Sequence, residues 1–366
     1  MEKLNKPVVV HVIDSLGRGG AETLLADTIK DESYSYSYSI VLVTLTPEND
    51  FPSIHKSCLA FHCLDYKGYG DFFRVVHALR KIIEHYNPKL LRAQLFWSTV
   101  IARVANTKKI PFVFSVHATV NEDPIAFYKK YFLVIVDKLT YRRSQQMIGV
   151  TNAVIESFKK VHPRHGKLHL LYNYVNDIFF VQNISEKYKP GTQLKLVAVN
   201  NIRLIKNIPF LIEAMSLLQD IDVKLEIFGD GVLLTEMREL VKSKQLNNVV
   251  LMGPKRNIET ILPDYHVFVS ASQVEGFGIA VVEAMAVGLP VVVSNIKVYQ
   301  EVCKDNALYF NLSSVDGFCT HIRNIYLGKE DINLIGEKGR EYAHANFSKK
   351  QYVQKLMSIY DAVALS

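Results

Sequence analysis

The run Glu275-Gly276-Phe277-Gly278-Ile279-Ala280-Val281-Val282-Glu283-Ala284-Met285-Ala286 concentrates more chemistry than any other part of the sequence. Ser270–Ser272 ends a predicted strand, and Gly276 and Gly278 turn the chain into a helix that carries Glu283. The first N–H groups of a helix have no acceptor inside it and lie at the positive end of its dipole, so the amides from Phe277 to Ile279 suit an anion. Glu275 in the loop and Glu283, one to two turns into the helix, are placed to hold sugar or ribose hydroxyls. Glu283 has apolar flanks in Val282, Ala284 and Met285. A carboxylate among such neighbours needs a partner; the competing reading is an ordinary surface residue of the helix.

Two other groups invite the same question. Arg203 and Lys206 follow the predicted strand Leu194–Val199 and stand three residues apart. The carboxyl end of a parallel strand is where anionic ligands bind. A guanidinium fork and an ammonium there could clamp a diphosphate and neutralise a leaving group, or they are two solvated loop charges. Gly17-Arg18-Gly19-Gly20-Ala21-Glu22 follows the opening strand and begins a helix. Its glycines would let the backbone approach a phosphate, and a plain strand-to-helix turn fits equally. Glu22 replaces the third glycine of the dinucleotide fingerprint, and no Gly-Lys-Ser/Thr follows as in a P-loop.

The surrounding pattern alternates strands and helices. Short β-rich runs lie at Val8–Ile13, Ile40–Thr46, Leu90–Ala93, Phe112–Val116, Met147–Val150 and Leu168–Leu171. The alternation restarts at Leu194–Val199, Lys224–Phe228, Val249–Met252, Val267–Ser270, Val291–Ser294 and Leu308–Phe310. Helical spacing fills most gaps, as in Ala21–Ile29, Phe73–His85, Pro209–Leu218 and Leu233–Lys242. This predicts an α/β chain of two doubly wound, Rossmann-like domains with parallel sheets covered on both faces, and ligands in the cleft that they face. Polar Gln182–Gln193, with Pro190-Gly191, is the linker candidate. The expected division is 1–185, 190–347 and a terminal amphipathic helix in 348–366. Tyr34–Ser39 is expected to be a loop entering a strand.

Composition narrows the class. With 366 residues, 49% hydrophobic and 22% charged, the chain is globular, with about two domains. Four cysteines without a Cys-x-x-Cys exclude a disulfide framework and argue against structural zinc. No apolar run approaches the roughly 18 residues of a membrane span, and Val8–Ile13 is too short for a signal-peptide core. A cytoplasmic protein is expected. Residues 1–190 carry 25 Lys and Arg against 17 Asp and Glu, whereas residues 191–366 carry 18 against 19. The first half is therefore the one to meet an anion, unless the charge serves solubility alone. Aromatics mix with cations there in Tyr66–Lys81 and in Phe127–Arg143, the latter with Lys129, Lys130 and Lys138. Such faces suit an anionic membrane; core aromatics beside solvated charges are the alternative. No nucleic-acid motif accompanies the charge. Asp220-Ile221-Asp222 reads as a solvated turn, His162, His165 and His169 as a basic surface loop, and Trp97 as core or the wall of an acceptor site.

Glu275 and Glu283 with Gly276-Phe277-Gly278, followed by Gly288-Leu289-Pro290-Val291-Val292, resemble the E-x7-E signature of retaining glycosyltransferase family 4, which has the GT-B fold. Gly19-Gly20-Ala21-Glu22, His117 and the Arg203/Lys206 pair resemble that family's glycine loop, strand-end histidine and basic pair, in the same order. The resemblance implies a retaining, metal-independent transferase without cofactors. It would move a sugar from a nucleotide-diphosphate sugar to a glycan, lipid-linked or other hydroxyl acceptor, in surface polysaccharide or glycoconjugate synthesis. A first domain for the acceptor, a second for the donor and a terminal helix crossing back to the first are implied as well. Gly19, Gly20, Arg203 and Lys206 would bind the diphosphate. Glu275 with Phe277, Gly278 and Ile279 would hold the transferred sugar, Glu283 the ribose, Lys255 the side of the base, and His117 would lie near the reacting centre. The rivals are a nucleotide-sugar hydrolase or epimerase and a non-catalytic binding protein. Three places depart from the family pattern: Asn173-Tyr174-Val175-Asn176, Gln94 where histidine is frequent, and Asn295–Tyr299 where a glycine pair is common.

Overall fold

The computed structural model describes residues 6–17, 19–117, 127–185 and 187–364, with side chains from 131 onward in the third segment. The first five residues, Arg18, the side chains of Lys129 and Lys130, and Glu186 lie outside the described residues. The chain divides into two compact units, Met1–Asn173 with Lys350–Ser366, and Tyr174–Lys349.

In the first unit the described residues form a parallel sheet of seven strands: β1 Val8–Ile13, β2 Ser39–Thr44, β3 Ala60–Cys63, β4 Leu90–Gln94, β5 Phe112–Val116, β6 Gln146–Gly149 and β7 Leu168–Leu170. Their order is β3-β2-β1-β4-β5-β6-β7. In the second unit six parallel strands, β8 Leu194–Val199, β9 Val223–Phe228, β10 Val249–Gly253, β11 Val267–Ser270, β12 Val291–Ser294 and β13 Leu308–Phe310, follow the order β10-β9-β8-β11-β12-β13. Each sheet grows outward from its first strand in one direction and then in the other. The reversal falls between β1 and β4 and between β8 and β11, and such switch points open a crevice at the carboxyl ends of the strands. Central strands such as Val291–Ser294 are buried along their whole length, as strands covered on both faces are.

Several sequence expectations are corrected. β3 was not predicted: it is a four-residue edge strand whose residues are all partly exposed, so no apolar run betrays it. Residues 32–37 are a short helix rather than a loop. Asp31 caps it by accepting from the Ser33 and Tyr34 amides at 3.1 and 3.3 Å, and Tyr34 is fully buried with its hydroxyl 2.7 Å from His11 Nε2. His162 is buried instead of lying in a surface loop, because Asp137, from the helix Phe127–Thr140, meets its Nε2 at 2.7 Å. The segment 182–193 packs on the second unit, with Tyr188 buried in that core and the Ser185 amide donating to Pro263 O at 2.9 Å. Asp220, by contrast, lies in an exposed turn before β9 as expected, and pairs there with Arg323.

The helix Lys349–Ala364 belongs to the first unit. Its Tyr352 and Tyr360 hydrogen-bond to Arg92, a fully buried cation on β4 that also donates to Ser115 Oγ. Tyr38 donates to Asp361 Oδ1 at 3.0 Å. A buried guanidinium must have its donors satisfied, and here tyrosines and a serine meet that need.

Asp137 also receives Arg103, whose side chain is 1% exposed. Burial alone would raise the Asp137 pKa, but the hydrogen bond from His162 and the charge of Arg103 hold it below the usual carboxylate range. Its contribution is therefore present above the unfolded carboxylate value, about 4, and fades as pH falls through the lower folded one. Asp137→Asn should destabilise the protein by about 3 kcal/mol near neutral pH, with the difference from the parent narrowing in acid. Urea melts across that pH range measure both.

Candidate active site

Lys206 hangs from the turn after β8 and Glu275 from the turn after β11, the two strands that flank the second switch point. The Lys206 ammonium donates to Glu275 Oε1 at 2.6 Å, with the side chains 17% and 12% exposed. The same oxygen accepts from Ser272 Oγ at 2.9 Å and from the Tyr299 hydroxyl at 3.0 Å. Burial first, and then the Glu275 charge, push the Tyr299 pKa far up, so the phenol stays a neutral donor. Ser270 Oγ lies 2.8 Å from that hydroxyl. Glu275 Oε2 has no protein partner among the described residues, so it can accept from a ligand. A backbone bond from the Gln273 amide to Ile205 O, at 2.8 Å, ties the two turns together.

Glycines let these turns approach one another. Gly229 has φ +136°, and a Cβ there would stand 1.7 Å from Asn200 O. The Ile202 amide donates to Asp230 O at 2.7 Å. Gly229-Asp230-Gly231, which the sequence reading passed over, thus braces the turn that carries Arg203 and Lys206. Gly278 has φ +84°, and a Cβ would stand 2.6 Å from the Tyr299 ring. The helix Ile279–Val287 begins after it without a side-chain cap, which leaves first-turn N–H groups for a ligand. Phe277 is buried edge-on to Phe347 at 5.4 Å and anchors the turn. Arg203 is exposed, donates from Nε to Asn201 Oδ1 at 3.2 Å and has no carboxylate partner among the described residues. Lys255 is exposed in the turn after β10. There, Gly253 O accepts from the Gly229 amide at 2.9 Å. Glu283 lies partly buried and has neither a hydrogen bond nor an ion pair among the described residues. Burial, with the charge of Glu259 added, pushes its pKa up to about 8.

The first switch point is built differently. Asp14 follows β1 and accepts from the Ser98 amide at 2.7 Å, in the helix Phe96–Ala105 that follows β4. Burial raises the Asp14 pKa. Between Gln94 and that helix, Leu95 adopts φ +72° and ψ 172°, a conformation usually left to glycine, and such strain gathers at functional sites. Gln94 is buried, with Oε1 lacking a partner among the described residues. His117, after β5, likewise has its buried Nε2 unpartnered among them. Burial first and Arg92 second lower its pKa to about 3, so it acts as a neutral hydrogen-bonding group and not as a cation. Gly19 caps the helix Gly20–Ile29. The Glu22 carboxylate folds back over Gly19, so that a Cβ there would stand 2.1 Å from Oε2. Burial and the charges of Asp14 and Glu48 raise the Glu22 pKa. The glycine turn is thus occupied by a carboxylate. Asp14, Leu95, Ser270, Ser272 and Tyr299 carried no sequence signal of their own, since each acquires its role from a partner distant in the chain.

The raised Glu283 pKa makes a signed prediction. A folded-state value above the unfolded one of about 4.3 means that stability falls as pH rises from there to about 8, where the charge has to form in place. Glu283→Gln should therefore raise the melting temperature of the ligand-free protein at pH 8, and the gain should vanish toward pH 4.5; thermal melts across this range follow it.

Residues 19–178 match the family model described as Glycosyltransferase Family 4, and residues 180–342 match Glycosyl transferases group 1. N-acetyl-alpha-D-glucosaminyl L-malate synthase of Bacillus anthracis is 22% identical over 60% of this chain and 60% of its own length. The O-antigen chain mannosyltransferase RfbU of Salmonella typhimurium is 26% identical over 55% of this chain and 57% of its own. The chain thus spans less than two thirds of the length of these curated relatives. The crystal structure of HepE from Anabaena with UDP and glucose superposes with a TM-score of 0.81 at 16% identity, covering 96% of this chain and 99% of that one. With the two models end to end along it and both sheets wound in this order, the chain belongs to the glycosyltransferases of GT-B fold, a family 4 domain followed by a group 1 domain.

Proposed function

We propose that the protein is a retaining, metal-independent glycosyltransferase that moves a sugar from a nucleotide-diphosphate sugar to a hydroxyl of a glycan or lipid-linked acceptor. The observation that carries this reading is the Lys206–Glu275 pair at the second switch point, with Glu275 Oε2 left for a ligand and Arg203 on the same edge. An ammonium has three N–H donors. One is spent on Glu275, and two remain for oxygens of the leaving diphosphate. Arg203 adds its fork from the exposed side, and the uncapped helix start at Gly278 and Ile279 adds amides. These cations stabilise the charge that develops as the glycosidic bond breaks, the task that a metal would otherwise perform. Glu275 Oε2 accepts from the transferred sugar, Glu283 from the ribose diol, and Lys255 flanks the base. Attack from the face of departure preserves configuration.

In the first unit Asp14 and Gln94 supply acceptors for the hydroxyls of the incoming acceptor, and neutral His117 lies beside the reacting centre. The Gly19 and Gly20 amides are assigned to the diphosphate as well, a role that requires the Glu22 carboxylate to leave Gly19. UDP is the first nucleotide to try, since HepE holds UDP and glucose. The mannosyltransferase named for the O-antigen chain supports a place in surface polysaccharide synthesis. Among the described residues no helix is long and apolar enough to cross a membrane, and we place the protein in the cytoplasm, touching the inner face of the membrane where lipid-linked acceptors reside.

Arg203→Ala or Lys206→Ala should lower turnover by about 10²–10³; near-normal turnover in both would refute the clamp. Glu275→Gln should impair transfer yet retain the thermal stabilisation by free UDP, and equal loss of both would refute the sugar contact. A melting screen of the parent against UDP, GDP, ADP and their sugars tests the reading as a whole, and failure of every one to stabilise it would overturn the transferase.

A further inference from the structure

The first unit carries an apolar surface that its own core does not explain. On the helix Phe127–Thr140 the exposed side chains include Tyr131, Ile135 and Leu139, each four residues from the next, with Phe132 beside them. Residues so spaced share one helical face. The rotation of this helix is set from behind: Asp137 points inward to buried Arg103 and His162. The apolar stripe therefore faces solvent because the opposite face is fastened by charge. Tyr69 continues the surface, edge-on to Phe132 at 5.7 Å and to Trp97 at 5.3 Å. Phe73, at the start of the helix Phe72–Tyr86 and four residues after Tyr69, adds a further exposed ring, edge-on to Phe72 at 5.6 Å. Phe73 and Leu139 are 81% and 80% exposed, so both protrude. A contiguous exposed patch of this kind marks an interaction site.

Charge indicates the occupant. Lys138 adjoins Leu139, and Arg142 and Arg143 follow the helix; all three are exposed, with no carboxylate partner among the described residues. The acids nearby are already engaged, Asp71 by Arg74 and Asp65 by Lys67. Protruding aliphatic and aromatic side chains rimmed by unpaired cations match a helix lying in the plane of an anionic bilayer, its apolar face in the acyl boundary and its cations at the phosphates.

We propose that Tyr69, Phe73, Phe132, Ile135 and Leu139, with Lys138, Arg142 and Arg143, form the surface on which the first unit docks to an anionic lipid membrane. This deepens the membrane contact included in the proposed function, and it can fail without the transferase failing.

Sedimentation of the whole protein with vesicles tests it. Vesicles of phosphatidylcholine and phosphatidylglycerol should carry the protein down and phosphatidylcholine alone should not, with binding weakened by added salt. The double variant Phe73→Ser, Leu139→Ser should bind the anionic vesicles at least about tenfold more weakly, while its melting temperature and its stabilisation by UDP match those of the parent. Lys138→Glu should weaken binding in the same direction. Equal binding to both kinds of vesicle, binding unaffected by the double variant, or no vesicle binding by a parent that UDP stabilises would each overturn the docking surface and leave the transferase standing. A dimer in light scattering that the double variant dissociates, without vesicle binding, would assign the patch to a second copy and overturn it too.

Discussion

A single carboxylate oxygen, Glu275 Oε1, accepts from an ammonium, a hydroxyl and a phenol, and the carboxyl edge of the second unit is organised around it. Each donor comes from a different place: Lys206 from the turn after β8, Ser272 from the turn after β11, and Tyr299 from the helix Lys297–Cys303 that follows β12. A partly buried ion pair survives only if its remaining hydrogen-bonding capacity is met. Here it is met on one oxygen, which fixes the rotamer of Glu275 and leaves the other oxygen for a ligand. The glycine at 278 follows from the same crowding, since a side chain there would meet the Tyr299 ring, while one at 229 would meet Asn200 O in the turn that leads to Lys206.

The first unit solves the opposite problem. Its central buried charge is a cation, Arg92, and neutral partners surround it: Ser115, Tyr352 and Tyr360. The desolvated guanidinium keeps nearby His11 and His117 neutral, with burial as the larger cause. Its carboxyl edge carries Asp14, Glu22 and the amide oxygen of Gln94, groups that accept hydrogen bonds from hydroxyls. The edge of the second unit carries Arg203, Lys206 and Lys255, groups that suit phosphate. The two switch points share a winding and differ in polarity, and that difference is what supports the proposal of an acceptor at one unit and a donor at the other.

Much of this was legible beforehand, for identifiable reasons. Continuous apolar runs such as Val291–Ser294 announce strands buried on both faces, and both switch-point edges fall where strand, glycine and charge follow one another in the chain. Local cues mislead where a tertiary partner outweighs them. Tyr34 looks like a loop residue until buried His11 meets its hydroxyl. His162 looks solvated until Asp137, twenty-five residues away, reaches it. β3 has too little buried surface to leave a pattern.

Residue type and spacing along the chain determined the α/β class, the doubling of the sheet, the glycine-rich and basic turns after the strands and the glutamates at 275 and 283, because each depends on neighbours within a few residues. Tertiary structure alone decided which oxygen of Glu275 is occupied, that Tyr299 is one of its donors and that Glu22 lies over Gly19. Those outcomes depend on desolvation and on partners brought together from distant parts of the chain, and the free energy of a buried charge is set by what surrounds it in space.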